Sequence, residues 1–460
     1  MSFILSSLLE RMNDNKLISD SNQRCYGEAP GRLAGRNLPR RGCTRGFREN
    51  HAALRLARGP DSPLADNPLP GYISLPGCGG KPAWLKQNRM SSTSELSSFA
   101  AHLHGFIPAC ASASAAGISG FDQLALKLFA LQFRHNTAYR RLCEARGARP
   151  DGVTRWTGIP AVPTSAFKEL DLSCLPAAER TSVFHSSGTT GQRPSRHLHN
   201  AESLALYEAS MSAWFEAHFH SANGTWQMAI LTPPPAEAPH SSLVHMFETI
   251  RRRLGSSASC FVGRAEEDGA WEVDLGAAVE LLRTSSATGE PLLVLGTAFS
   301  YVHLLDHLAD RGLGFDVSPD SFAMETGGYK GRSRSLPRAA LHAFISQRLG
   351  IPLRHIICEY GMSELSSQAY DCPIASSRNT QHATHPFRFP PWARVQITSP
   401  ETGCEVGEGE TGLIRVFDLA NVYSVMAIQT EDLGTRWGDG FTLAGRVTLA
   451  EPRGCSLMVA

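Results

Sequence analysis

The chain of 460 residues lacks several features that would place it in a specialised class of protein. No apolar run reaches the roughly 20 residues needed to span a bilayer, and the first residues lack the basic segment and the cleavage site of a signal peptide. Its 44 Lys and Arg residues nearly balance 43 Asp and Glu residues, so no net field attracts nucleic acid. The 11 cysteines form no CxxC pair. We therefore expect a cytoplasmic protein with reduced thiols, no membrane span and no nucleic-acid partner.

Residues 1–89 differ in composition from the rest of the chain, since they are rich in Arg, Gly, Pro and Asn. Such a segment has little apolar surface to bury, so we expect a disordered extension. The alternatives are a chain that starts at Met90 and a functional basic arm. We expect the folded domain at 90–446 and a tail at 447–460.

Alternating strand and helix patterns indicate an α/β fold. The segment 121–147 has apolar residues at helical spacing and predicts one amphipathic helix that ends near Gly147. Further helices are predicted at 277–286, 298–310 and 337–350. Short apolar segments predict strands at 181–187, 226–233, 291–297, 321–328, 355–361, 393–400 and 412–419. This order predicts βαβ crossovers and a site where strands end in glycine-rich or acidic loops.

The most informative motif is the hexapeptide SSGTTG, which follows a predicted strand. Its glycines permit a tight turn that points backbone amides inward, and its four hydroxyls add donors, so the loop suits a polyphosphate. The residues are Ser186, Ser187, Gly188, Thr189, Thr190 and Gly191. The motif lacks the GK[ST] ending of a Walker loop, which excludes the P-loop NTPases. Taken alone, it also fits a Ser/Thr-rich surface turn.

Three motifs in this order resemble the adenylate-forming superfamily, which includes the acyl-CoA synthetases. The hexapeptide resembles its phosphate loop, and Glu359–Glu364 (EYGMSE) resembles its YGxTE segment. Thr430–Gly434 (TEDLG), followed by Asp439-Gly440 and Gly445-Arg446, resembles its TGD, DG and GR motifs. The resemblance implies the layered α/β fold of the superfamily's N-terminal domain, with ATP and Mg²⁺ as cofactors.

The resemblance assigns roles that agree with the chemistry of the side chains. Glu364 is expected to hold Mg²⁺, which prefers carboxylate oxygens. Asp432 is expected to accept hydrogen bonds from the ribose diol, as acidic residues do in other nucleotide sites. Arg446 and Arg196 are expected to face phosphate oxygens, with Arg196 in place of the superfamily's loop lysine. Glu431 stands where most members have glycine. The other predicted cofactor-binding residues are Gly327, Gly328, Tyr360, Gly361 and Ser363, with Tyr360 near the adenine.

Within the superfamily, the chain from about Met90 resembles the LuxE-type acyl-protein synthetases. Thr326–Lys330 (TGGYK), Phe389–Arg394 (FPPWAR) and the stretch Arg415–Gln429 resemble segments of that family. The end of the chain, Gly454–Leu457 (GCSL), resembles the family's Gly-Cys-x-Leu terminus, whose cysteine carries an acyl thioester. The resemblance implies a fatty acid substrate and a partner acyl reductase.

Two residues are predicted to be catalytic. Cys455 is the expected acyl acceptor, because a thiolate on a tail can visit the adenylate and then present the acyl group elsewhere. Acyl-CoA synthetases continue beyond the GR motif into a lid domain with a catalytic lysine, whereas only 14 residues follow Arg446 here. We therefore predict a fold without the C-terminal lid and hypothesise that Lys330 replaces the lid lysine. The alternative for Lys330 is a solvated loop residue.

Two weaker predictions concern a zinc site and an acyl pocket. Cys372, His382 and His385 are candidate zinc ligands, although their spacing is not a strong zinc pattern. The acyl pocket is expected near Ser241, Ser242, His245, Phe299 and Tyr301, for which a plain core is the alternative.

The sequence thus predicts a ligase that converts a carboxylic acid and ATP to an acyl adenylate and then loads Cys455. Two alternatives remain at this point. One is a ligase that passes the acyl group to CoA or a carrier protein. The other is a non-catalytic nucleotide-binding protein.

Overall fold

The computed structural model describes residues 92–111, 120–186, 193–220, 224–267, 269–329, 333–371 and 385–446. The helices are α1 (Ser92–Ala111), α2 (Phe121–His135), α3 (Thr137–Ala145), α4 (Ala166–Glu169), α5 (Ala201–His218), α6 (Ser242–Leu254), α7 (Leu275–Thr288), α8 (Ala298–Asp310) and α9 (Arg338–Leu349). None of the described helices is both long and apolar enough to cross a membrane.

The strands follow the same chain order. They are β1 (Val162–Pro163), β2 (Ser182–His185), β3 (Arg196–His199), β4 (Gln227–Ile230), β5 (Cys260–Phe261), β6 (Gly263–Ala265), β7 (Trp271–Val273), β8 (Leu292–Thr297), β9 (Phe322–Thr326), β10 (Ile356–Tyr360), β11 (Ala369–Tyr370), β12 (Ala393–Thr398), β13 (Thr411–Asp418), β14 (Ala427–Trp437) and β15 (Gly440–Arg446). Every strand segment predicted from the sequence overlaps one of these strands.

The large sheet has the strand order β11-β10-β9-β8-β4-β5. Its strands pair in parallel, except that β11 runs antiparallel to β10. All residues of β4, β8, β9 and β10 are buried, as is typical of parallel strands covered on both faces. The predicted α/β fold with crossover helices is confirmed.

Alternate residues of β8 belong to different hydrophobic cores. Leu293 and Leu295 face the core that includes α1, α2 and α5, whereas Leu292 and Val294 face the core formed with α7, α8 and α9. This follows from the two-residue period of a strand. The large sheet is therefore a buried layer between two cores.

The small sheet has the order β1-β14-β13-β12, and β15 also pairs with β14. Strands β12 to β15 pair antiparallel, while β1 joins β14 in parallel. Two antiparallel pairs, β2–β3 and β6–β7, complete the strand pairing.

The prediction of a single helix over 121–147 is wrong, because the helix is interrupted at Asn136, between α2 and α3. This residue has extended backbone angles, and its side chain accepts a hydrogen bond from Tyr139 N and so caps α3. Its amide also lies 3.5 Å from the carbonyl oxygen of Ser424. Apolar residues on both sides of the break keep helical spacing, so the periodicity alone did not reveal it.

Candidate active site

The predicted site residues lie where parallel strands of the large sheet end. Thr297 at the end of β8 is in register with Thr326 at the end of β9, which is in register with Glu359 of β10. Ligands of open α/β sheets bind outside this edge, because the loops that follow the strands converge there. The loops after β9 and β10 therefore bring Gly327, Gly328 and Tyr360 to the same edge.

The loop after β9 begins with a strained turn. Gly327 has φ 70°, and a Cβ added to it would meet no described atom within 4 Å, so the left-handed backbone conformation is what favours glycine here. A Cβ on Gly328 would also meet open space. Just before this loop, the Thr326 hydroxyl donates a hydrogen bond to the Glu359 carboxylate and so joins the end of β9 to β10. Lys330 lies outside the described residues.

Glu364 is a buried carboxylate held by two hydroxyls. Ser195 Oγ donates to Oε1 at 2.5 Å, and Ser363 Oγ donates to Oε2 at 3.0 Å. His197 Nδ1 donates to the Ser363 carbonyl at 2.8 Å, and burial lowers the pKa of His197 to about 4, so this ring is neutral. Since carboxylates have about four lone-pair sites, Glu364 keeps acceptor capacity for a further partner such as a cation.

Ser186, the first residue of the predicted phosphate loop, is bonded to Ser195, which lies beside Glu364. Ser186 N donates to the Ser195 carbonyl at 3.3 Å, and Ser195 N donates to Ser186 Oγ at 3.0 Å. These two bonds close the base of the loop, and Ser195 itself contacts Glu364. The other predicted loop residues, Ser187, Gly188, Thr189, Thr190 and Gly191, lie outside the described residues.

Asp432 lies in a β-bulge that aims its side chain at Tyr360. The β13–β14 register shifts so that Thr430, Glu431 and Asp432 lie opposite the single residue Ile414. Thr430 Oγ1 donates to the Ile414 carbonyl at 2.8 Å and accepts from Asp432 N at 3.1 Å, which fixes the bulge. Bulges of this kind often redirect a side chain beside an active site.

Both oxygens of Asp432 have a protein donor. Tyr360 Oη donates to Oδ2 at 3.0 Å, and Arg446 Nε donates to Oδ1 at 2.8 Å. Burial, together with the charge of Asp432, raises the pKa of Tyr360 well above its ordinary value, so the phenol stays protonated. The Tyr360 ring packs against Phe387, Phe389 and Phe441. Strand pairing places Arg446 directly across from Asp432.

Arg196 is engaged by a protein carboxylate. Its guanidinium lies 2.9 Å from Asp171, which also accepts a hydrogen bond from Arg180 at 2.9 Å. Arg196 Nε is buried without a partner among the described atoms. Arg196 therefore lies at the start of β3, shortly after the predicted phosphate loop, and its guanidinium already forms an ion pair with Asp171.

Three residues of the site were not predicted from the sequence. Ser195 follows the predicted phosphate loop closely in the sequence, so its position could have marked it as a site residue. His197 carried no such signal, because it acts through a contact with a distant segment. Glu359 is the first residue of the EYGMSE motif, but no role was predicted for it. Burial raises the pKa of Glu359 to about 7, with Glu325 adding to the rise and Thr326 opposing it. A Cβ at Gly361 would collide with the Glu359 carboxylate, so a larger residue there would displace that carboxylate.

The remaining predictions are only partly within the described chain. Cys455, Cys372 and His382 lie outside it, and the described residues contain no group of three potential metal ligands. Of the expected pocket residues, Tyr301 is fully buried and donates to the Val294 carbonyl at 2.8 Å, so its hydroxyl is satisfied within the core. Ser241 caps α6 by accepting from Val244 N. His245 contacts Glu208 at 3.0 Å.

Among solved structures, the chain is similar to 2-hydroxyisobutyryl-CoA ligase captured after adenylation with 2-HIB-AMP. The similarity has a TM-score of 0.50 at 14% identity and covers 71% of this chain and 68% of that one. At this level of identity the comparison bears on the fold alone, and it agrees with the predicted adenylate-forming fold.

Two bacterial relatives are each named long-chain-fatty-acid–luciferin-component ligase. The protein of Vibrio harveyi is 23% identical over 342 residues, covering 71% of this chain and 84% of the relative. That of Aliivibrio fischeri is 21% identical over 353 residues, covering 74% and 87%. The family model described as "Acyl-protein synthetase, LuxE" matches residues 119–460, which is most of the chain. The chain therefore belongs to the LuxE family of acyl-protein synthetases, AMP-forming ligases.

Proposed function

We propose that the protein joins a carboxylic acid to ATP, giving an acyl adenylate and pyrophosphate, and then transfers the acyl group to Cys455. The observation that carries the first step is the junction of Ser195 with Glu364, 169 residues apart in the chain. It joins the base of the phosphate loop to a buried carboxylate, which is the arrangement that a magnesium–triphosphate substrate requires.

The described residues fit a nucleotide with its metal ion. Glu364 would hold Mg²⁺, which neutralises charge on the phosphates and favours departure of pyrophosphate. Asp432 would accept the ribose hydroxyls with the lone pairs that Tyr360 and Arg446 leave open. The adenine and the reacting carboxylate would lie beside Gly327 and Gly328, where an added Cβ meets no described atom within 4 Å.

The phosphate loop would supply backbone amides and hydroxyls to the polyphosphate, in the manner of an anion-binding nest. Arg446, whose side chain is 68% exposed beside Asp432, can reach a phosphate oxygen without losing its strand position. Arg196 would have to share its charge between Asp171 and a phosphate. Lys330 would neutralise the carboxylate and the α-phosphate as they meet.

In the second step, the Cys455 thiolate attacks the acyl carbon of the adenylate. A C–S bond forms, the C–O bond to AMP breaks, and AMP leaves with the bonding electron pair, while the thiol proton passes to solvent. Arg453, two residues away, is a candidate cation for lowering the pKa of the thiol. The thioester would then deliver the acyl group to a partner such as an acyl reductase.

A fatty acid is the proposed substrate class. The support comes from the family and from the two relatives, whose names specify a long-chain fatty acid.

The test combines exchange of labelled pyrophosphate into ATP, across a panel of acids, with mass spectrometry of the intact protein. We expect exchange with a fatty acid and an acyl adduct that Cys455→Ala abolishes, whereas Cys260→Ala, which removes an exposed thiol on β5, leaves the adduct unchanged. Exchange without an adduct would favour transfer to CoA or a carrier protein. Absence of exchange with every acid would favour a nucleotide-binding protein without catalysis.

Lys330→Met tests the proposed role of this lysine. We expect loss of exchange with an unchanged melting temperature, and Lys127→Met on α2 serves as the control for loss of a lysine. Near-normal exchange in Lys330→Met would end the hypothesis.

A further inference from the structure

A row of long polar side chains crosses the small sheet away from the nucleotide pocket. Arg415 of β13 is in register with Gln396 of β12 on one side and Gln429 of β14 on the other. Arg394 precedes Gln396 by two residues, so it lies on the same face and diagonal to Arg415. Leu433 pairs with Leu413 and thus shares the face of Arg415, which directs the neighbouring Asp432 to the opposite face.

Arg415 bonds only to neutral acceptors in the described chain. Its Nε donates to Gln429 Oε1 at 2.9 Å, and an Nη donates to Gln396 Oε1 at 3.3 Å. Glu405 contacts Gln396 at 3.5 Å, but its ion pair is with Arg436 at 3.2 Å. An amide satisfies hydrogen bonds without neutralising charge, so the positive charge of Arg415 is left uncompensated by these partners.

Two further arginines share this arrangement. Arg146, at the end of α3, donates to the Ala161 carbonyl at 2.8 Å. Arg394 stacks its guanidinium 4.7 Å from the centre of the Phe121 ring, and its Nε is buried without a partner among the described atoms. Neither forms an ion pair with a described carboxylate. Arg394 and Arg415 are half-buried and Arg146 is exposed, so each retains a solvent-accessible part.

The electrostatic cost of this arrangement is visible at Arg415. Burial, followed by the nearby charge of Arg146, lowers the pKa of Arg415 to about 10, and burial also lowers the pKa of Arg146. Both guanidiniums remain charged at neutral pH, so they repel one another. An anion placed between them would relieve both the repulsion and the desolvation.

We propose that Arg146, Arg394 and Arg415 form a binding site for a phosphate-type oxyanion on the face of the small sheet opposite Asp432. Guanidinium forks bind tetrahedral oxyanions through paired N–H groups. Gln396 and Gln429 hold the Arg415 guanidinium in one plane and leave its remaining N–H groups for the ligand. The site is distinct from the nucleotide pocket and does not depend on the proposed function.

The test measures the melting temperature of the full chain in inorganic phosphate, sulfate or acetate against chloride at constant ionic strength. We expect phosphate to raise the melting temperature of the wild-type protein and Arg415→Gln to lose at least half of that rise. Phosphate bound at the nucleotide pocket cancels in this comparison, because it stabilises both proteins. Arg283→Gln, which removes an arginine from the exposed face of α7, is the matched control and is expected to keep the full response.

The outcomes distinguish an anion-binding role of Arg415 from a purely structural role. If Arg415→Gln lowers the melting temperature equally in every salt, the arginine only braces the sheet and the proposal is overturned. An equal response to acetate would overturn the assignment to tetrahedral oxyanions, whereas a response to sulfate resembling that to phosphate would support it. Arg146→Gln provides a second variant should Arg415→Gln fail to fold, and it is expected to weaken the phosphate response likewise.

Discussion

Replacing Tyr360 by Phe tests whether the tyrosine positions Asp432 for nucleotide binding. The variant keeps the ring, which packs against Phe387, Phe389 and Phe441, and removes only the hydroxyl that donates to Asp432 Oδ2 at 3.0 Å. Arg446 still holds the other carboxylate oxygen. We therefore expect the fold to persist and Asp432 to lose its fixed orientation.

The size of the effect follows from the type of bond that is lost. A hydrogen bond to a charged group contributes about 1.5–3 kcal/mol, and about 1.4 kcal/mol corresponds to a tenfold change in an equilibrium constant. If half or more of this free energy serves to orient Asp432 toward the ribose, KM for ATP should rise about threefold to tenfold or more. The remainder should appear as a lower free energy of unfolding.

The assay is pyrophosphate exchange at varied ATP concentration, together with thermal unfolding. Tyr301→Phe is the matched control, since Tyr301 is also buried and its hydroxyl donates to a single described acceptor, the Val294 carbonyl, at 2.8 Å. We expect Tyr301→Phe to lower stability and to leave KM for ATP unchanged. If Tyr360→Phe lowers stability but its KM stays within about twofold of wild type, the reasoning about Asp432 is refuted.

Three further predictions concern buried carboxylates. Ser195→Ala should weaken ATP binding about tenfold, because Glu364 loses the 2.5 Å hydrogen bond that aligns it. Titration of ATP into the variant measures this affinity, and an unchanged affinity would contradict the prediction. Glu359 has a pKa raised to about 7 in the folded protein, so its contribution to stability is fully present below its unfolded value near 4.5 and is lost as the pH rises through 7. Denaturant unfolding between pH 4.5 and 8 should therefore show a decline that is smaller in Glu359→Gln, and parallel profiles would oppose it. Asp418→Ala should lower the free energy of unfolding by about 3–5 kcal/mol. Asp418 is fully buried and accepts three hydrogen bonds, from Ser366 N, Ser367 Oγ and Ala420 N. A loss below about 1 kcal/mol would refute the role of this network.

Much of the fold was predictable from local patterns. The buried strands of the large sheet appear as short apolar runs, and the helices between them show a period near 3.6, so the parallel α/β arrangement followed from chain order alone. The break at Asn136 did not, because its cause is a capping interaction and a contact with Ser424, far away in the chain. A pattern of apolar residues reports which face is buried, not whether the backbone is continuous.

The candidate site divides in the same way. The motifs that contain Tyr360, Glu364 and Asp432 were predicted from the sequence to be nucleotide-binding segments. Their mutual contacts were not, since Tyr360 and Asp432 are 72 residues apart and Ser195 and Glu364 are 169 apart.

The sequence by itself determined the chemical groups available to the protein and the order in which the chain presents them, because motif and periodicity are local properties. Tertiary structure alone decided that Arg196 pairs with Asp171, that a bulge turns Asp432 toward Tyr360, and that Arg415 lies between two glutamines without a carboxylate. Which charges form ion pairs, and which groups are protonated, depend on burial and on neighbours that folding brings together. No single segment of the sequence encodes these neighbours.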